Sequence, residues 1–219
     1  MPYDRGTTDA FGAPVSTTSE VSDPVQEPMD GRTARGVRTR AAIVDACIGL
    51  VEEGEIRPTA PRIAEVAGVS VRSVFQHFDD LDTLFVAVGQ RMVERLAELI
   101  QPIDPSLRFE DRLEAFVDQR CAINEVMSPI RGAAMVHAPT SKAIGVMFRR
   151  GHDFYRGQIR EVFAAELDAT DAHSEIRFAA VMVAASWSTW NLHRTLEQLS
   201  VDEARAQVLG LLGLAFGVV

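Results

Sequence analysis

With 219 residues, 47% of them hydrophobic, the chain is long enough to bury a sizeable core as one or two domains. Two cysteines, no basic-then-apolar leader and no apolar run near the roughly 18 residues of a membrane span exclude a disulfide scaffold and predict a cytoplasmic protein with no membrane partner. The net charge of −9 also counts against a chain that is basic throughout, so any affinity for nucleic acid has to be local.

Residues 1–31 are rich in Pro, Thr, Ser, Gly and Asp, and carry one Arg against six acids. No apolar period runs through them, so an acidic disordered tail is expected. From Arg32 to Phe78 seven arginines face five acids, and Arg32, Arg35, Arg38 and Arg40 cluster at the start. That basic footprint suits DNA. Residues 79–219 return to an acidic balance, twenty acids against fourteen basic side chains.

The first periodic segment runs from about Val37 to Glu53, with Ile43, Val44, Cys47, Ile48 and Val51 on one face, and Gly54 ends it. Thr59 then caps a short helix that tolerates Pro61 in its first turn and turns Ile63, Ala64 and Ala67 inward before Gly68 stops it. Ser70 caps the next, whose apolar side is read as Val74, Phe75 and Phe78. Asp80 caps a longer helix from Leu81 to about Ile100, which Pro102 closes.

The remainder reads as helical too. Phe109, Leu113, Phe116, Val117, Arg120 and Cys121 recur at three and four. Ser128-Pro129 reads as a cap with a first-turn proline, opening a short helix that Pro139 ends. Thr140 or Ser141 opens a long helix reaching Phe163, and Thr170-Asp171 another reaching Leu199. Ser200 and Glu203 form a capping box for the last, Val201 to about Phe216. The expectation is an all-α chain of nine helices without a strand.

The informative stretch is Thr59 to Phe78. Two short helices separated by Gly68-Val69-Ser70 satisfy a helix-turn-helix: the glycine takes the left-handed turn, Val69 fills the corner and Ser70 caps the second helix. An ordinary helical hairpin has the same spacing. The stretch, with Asp79-Asp80-Leu-Asp-Thr-Leu-Phe after it, resembles the TetR (tetracycline-repressor-like) family of regulators, most specifically in its ending Val-Phe-Gln-His-Phe. The match covers about Arg38 to Phe85. The resemblance implies a homodimer in which three N-terminal helices (residues 32–80) bind a double-stranded operator, and residues 81–219 bind a ligand and the second subunit.

Carried over by position, Val71 and Arg72 open the recognition helix and are the base-contacting candidates, with Gln76 as a further contact. Thr59, Ser73 and His77 fall where family members hold phosphates. Two departures weaken phosphate binding: Phe75 replaces a frequent Tyr, and Leu81 a frequent Lys. Arg35 and Arg38, from an arm before the first helix, and Arg62 are expected to compensate.

Between Leu113 and Phe163 deformable side chains gather: Phe116, Met127, Met135, Met147 and Phe148, with Asn124, His137, His152 and Tyr155 as polar groups able to orient a ligand. These suit either a cavity for a hydrophobic small molecule or plain core. Trp187, Trp190, Arg194, Val208, Leu211, Leu212 and Ala215 are expected at a twofold interface, or else within one chain's core. No phosphate-cradling glycine loop, nucleophile elbow or metal-ligand spacing is visible, so neither an enzyme, a cofactor nor a metal is expected. A regulator of the same kind with no ligand is the alternative.

Overall fold

A computed structural model describes residues 31–168, 170 and 172–218. The tail expected over residues 1–31 lies outside the described residues except for Gly31, as does Asp171 of the expected Thr170-Asp171 helix start. The described residues form nine α-helices and no strand. They divide into two compact units, one holding the residues up to Val93 with Pro129–Phe148, the other Glu94–Ser128 with Arg149–Val219.

In the first unit, α1 (Gly31–Glu52) packs on α2 (Ala60–Ala67), and α3 (Val71–His77) closes against both. Ile43, Cys47 and Ile48 of α1, Ile63 of α2, and Val74 and Phe78 at α3 are buried. The helix starts six residues before the expected Val37. The reason is local: Arg and Ala are good helix formers, nothing in Gly31–Arg40 breaks the ladder, and Thr39 Oγ1 donates back to the Arg35 carbonyl at 3.0 Å. Arg35 and Arg38 therefore stand on α1 itself and not on a preceding arm.

At the corner, Gly68 has φ +66°, and the N–H groups of Gly68 and Val69 bond back to the Glu65 and Ala64 carbonyls. Ser70 Oγ accepts from Ser73 N at 3.0 Å, satisfying an open donor of α3. Thr59 precedes α2 in extended geometry but makes no side-chain cap bond. After α3, Asp80 accepts from both the backbone N and the hydroxyl of Thr83 at 2.7 Å and starts α4 (Leu81–Leu96), which stops short of Ile100. Those two bonds also hold the Asp80 carboxyl below its ordinary range.

Two boundaries differ from the sequence reading. Helix α5 (Phe109–His137) runs straight through Ser128-Pro129, so no new helix begins there. An interior proline costs about 3 kcal/mol. Burial of Ile123 and Asn124 before it, and of Ile130, Ala133 and Ala134 after it, outweighs that cost, while the Pro129 ring stays exposed. The Ser128 hydroxyl donates backwards to the Asn124 carbonyl at 2.7 Å instead of capping forwards. After α6 (Lys142–Val162), the single helix expected up to Leu199 is split into α7 (Ser174–Ala184), α8 (Trp187–Asn191) and a π turn, Leu192–Leu196. Ser186 caps α8 by accepting from Thr189 N, Asn124 Nδ2 donates to the Ala185 carbonyl at the break, and Thr189 Oγ1 adds a second bond to the Val183 carbonyl, which already accepts from Ser186 N. Helix α9 (Val201–Phe216) begins with the expected Ser200–Glu203 capping box.

The second unit is built around aromatic packing. Phe116 meets Phe163 edge-on at 5.1 Å, and Tyr155, Phe178, Trp190, Val208 and Leu212 complete a buried cluster. Cys47 and Cys121 are both free and buried, and burial pushes each thiol up to about 12, which leaves them unreactive at neutral pH.

Candidate nucleic-acid interface

Helix α3 is two turns long and buries only the side that carries Val74, with Phe78 immediately after it. Val71, Arg72, Phe75 and Gln76 are all exposed, with Arg72 and Gln76 on the side away from Val74. Ser73 and His77 are half-buried at the flanks, and the His77 ring lies beside Gly36 of α1. Phe75 corrects the sequence reading: it is 51% exposed, outside the core rather than part of the helix's apolar side. A helix of seven residues has room for a single inward row, which Val74 and the following Phe78 fill.

Thr59 is exposed ahead of α2, and Arg35 and Arg38 are exposed on α1. Arg40, which was not singled out as a contact, sits over the Phe78 ring at 4.7 Å and so pins α1 to the end of α3. Arg62 is not a free cation. It bonds Glu65 at 2.6 Å and lies 3.7 Å from Glu55, and the Glu65 bond raises its pKa. A phosphate has to compete with two carboxylates for it.

The residues expected to line a ligand site fall in both units. In the first, Met135 is exposed, and the His137 ring lies 4.5 Å from Phe85 with its Nε2 buried and unpaired. Met147 covers Gly89 so closely that a β-carbon there would meet its sulfur, and Phe148 lies under the Arg131 guanidinium. In the second, Phe116 is fully buried and stacks on Tyr155, Asn124 donates to the Ala185 carbonyl at 3.2 Å, and Tyr155 donates to the Val181 carbonyl at 3.0 Å. Met127 is half-buried and His152 exposed. A shallow cleft of about 160 Å³ in this unit is lined by Phe109, Glu166, Arg177, Phe216 and Val218, none of them among the expected ligand residues.

The expected interface residues divide in the same way. Trp190, Val208 and Leu212 lie inside the chain's own core, so they have no surface to offer a second copy. Arg194 is held by Glu125, and the half-buried Trp187 donates to Ser128 Oγ at 3.1 Å. Leu211 is exposed and Ala215 half-buried. Among the exposed apolar side chains of this unit are Ile176 and Val183 on α7 and Leu211 and Leu214 on α9, two helices that pack against each other. In each pair the spacing is seven or three, which keeps the two residues on one face.

No protein-family model and no curated protein matches the chain. Solved structures do. A TetR transcription regulator from Haloarcula marismortui aligns with TM-score 0.63 at 21% identity, covering 81% of this chain and 98% of its own. A TetR-family regulator from Streptomyces coelicolor aligns with TM-score 0.64 at 20% identity, covering 82% of each chain. A transcriptional regulator from a Rhodococcus species aligns with TM-score 0.58 at 20% identity, over 83% of this chain and 96% of that one. The chain has the fold of the TetR-family transcriptional regulators, the family that its Thr59–Phe78 stretch resembles.

Proposed function

We propose that the chain is a cytoplasmic transcription regulator that binds a pseudo-palindromic operator as a homodimer, acts as a repressor, and is released by a hydrophobic small molecule. The observation that carries this reading is the outward face of α3. A tight Gly68–Ser70 corner presents Val71, Arg72, Phe75 and Gln76 to solvent within the chain's only net-basic segment. Arg72 has the fork that pairs with guanine O6 and N7, a contact that discriminates by about 1–3 kcal/mol, and Val71 suits a thymine methyl. Thr59, Ser73, His77, Arg35 and Arg38 flank them as phosphate contacts that set register. Arg62 joins only by leaving Glu65 and Glu55.

A second copy packs on the exposed apolar side chains of α7 and α9, since obligate interfaces are apolar. Two α3 helices related by a twofold then read half-sites about 34–36 Å apart or a multiple of that. Helix α4 belongs to the first unit up to Val93 and to the second from Glu94. A 100-fold loss of operator affinity on ligand binding requires about 2.7 kcal/mol of coupling.

The test is a gel shift on the DNA upstream of the protein's own gene, with unrelated DNA as competitor and salt varied. Specific binding that weakens steeply with salt is expected. Equal affinity for both DNAs at every salt concentration sinks the reading. A constitutive regulator without ligand is the second reading, favoured by Asn124 and Tyr155 already bonding backbone carbonyls.

A further inference from the structure

We infer that Arg120 is the receptor for the oxyanion of a small amphipathic molecule, so that the proposed effector is an acid with an apolar body. This deepens the proposed sensing function and depends on it. Arg120 lies on α5, is 9% exposed, and has no hydrogen bond or ion pair to any described residue. Its Nε is sealed from solvent and unpaired. The guanidinium lies over the Tyr155 ring, 4.1 Å from its centroid.

Of the carboxylates before and after it on α5, Asp118 is held by Arg205, and Glu125 by Arg194 and Trp190. The Tyr155 hydroxyl is committed to the Val181 carbonyl. Gln158, one turn along α6 from Tyr155, leaves its own Oε1 buried and unpaired and does not bond Arg120.

The same unit shows how a buried guanidinium is normally completed. Arg112, one face and two turns earlier, donates to the Leu107 and Val162 carbonyls and forks onto Glu166. Arg120 has the same chemistry and burial without the partners, and burial alone presses its pKa down. A guanidinium this buried, with its Nε closed off and unpaired, is unfavourable until an acceptor reaches it. The matching group is planar and carries two oxygens, a carboxylate or a phosphate monoester, bound in a fork. Tyr155 belongs to a buried apolar cluster with Phe116, Val117, Cys121 and Ile159 of α5 and α6, which calls for a ligand whose remainder is apolar.

The experiment is thermal melting of the full chain with decanoate, decyl phosphate or decanol, and with added sodium chloride as the inorganic control, for wild type and Arg120→Met. At saturating probe, decanoate or decyl phosphate should raise the wild-type Tm by several degrees while decanol and chloride do not. The two oxyanions together decide between carboxylate and phosphate as the source. Arg120→Met should melt at or above wild type without probe, having lost an unpaired charge, and should lose the oxyanion shift. Should it fail to fold, Arg120→Lys keeps the charge without the fork and is expected to bind the oxyanion roughly tenfold more weakly. An equal shift by decanol, no shift by either oxyanion, or undiminished shifts in the Arg120 variants would overturn the inference. Melting involves no DNA. An oxyanion shift in a protein that ignores its operator therefore sinks the regulator reading alone, and operator binding without the shift sinks this one alone.

Discussion

Replacing Glu125 by leucine removes the group that ties α5 to α8 and the π turn. Its carboxylate accepts Trp190 Nε1 at 2.8 Å, Arg194 Nη2 at 2.9 Å and Arg194 Nε at 3.1 Å. Trp190 has no exposed surface, so its indole N–H is left without a partner or water, at about 1–3 kcal/mol. Arg194 fares better: it keeps a bond to the Leu199 carbonyl, and its side chain is 29% exposed. Solvent discounts that half of the loss to about 1 kcal/mol, well under the cost of breaking a sealed pair. The sum is about 2–4 kcal/mol, or roughly 5–15 °C in Tm for a chain of this length.

Glu125→Gln retains an acceptor for Trp190 and should lose about half as much. Arg194's hydrogen bonds hold the Glu125 carboxyl below the usual range, helped by the Trp190 bond and the Arg194 charge, against partial burial that raises it. A carboxyl lowered in the folded state stabilises above its unfolded value of about 4.3 and ceases to as pH falls through its folded value. The Tm gap between wild type and Glu125→Gln, followed by circular dichroism, is therefore full at pH 7 and narrows below about pH 4. A Glu125→Leu variant melting within about 1 °C of wild type at pH 7 would refute the reasoning.

Gly68→Ala meets no atom within 4 Å, so its cost is conformational: φ +66° penalises a side chain by about 1 kcal/mol, seen as a lower Tm and weaker operator binding. Ser70→Ala removes the cap of a seven-residue helix and should cost about 1 kcal/mol, with faster amide exchange confined to residues 71–77. Arg72→Ala should relax preference at one position of each half-site, whereas His77→Ala should weaken all sequences alike, a distinction that competition gel shifts resolve. Leu214→Glu, on exposed surface, should leave the monomer fold intact and shift the chain toward monomer in analytical ultracentrifugation.

The helix-turn-helix was readable in the sequence because each of its signals acts within four residues. Gly68 accepts a left-handed turn, Ser70 reaches Ser73 N, Asp80 reaches Thr83, and Ser200 reaches Glu203, all without help from distant chain. The reading failed where such a local signal competed with burial. Ser128-Pro129 resembles a helix start, yet burial of the residues on both sides carries α5 through it. Ser186 was hidden in an apolar helical pattern, and what lets the helix break there is Asn124, 61 residues away, taking the Ala185 carbonyl. Phe75 looked inward by hydrophobicity, but a seven-residue helix has no second row to bury it.

From the sequence alone came the all-helical fold, the corner that turns α3 outward and the basic segment around it, because these follow from backbone preferences and near-neighbour bonds. Only the tertiary structure separates Arg112, completed by Glu166, from Arg120, left without a partner eight residues later. Both are arginines of one helix, α5. What distinguishes them is which side chain a distant helix brings alongside, and a periodic sequence carries no record of that.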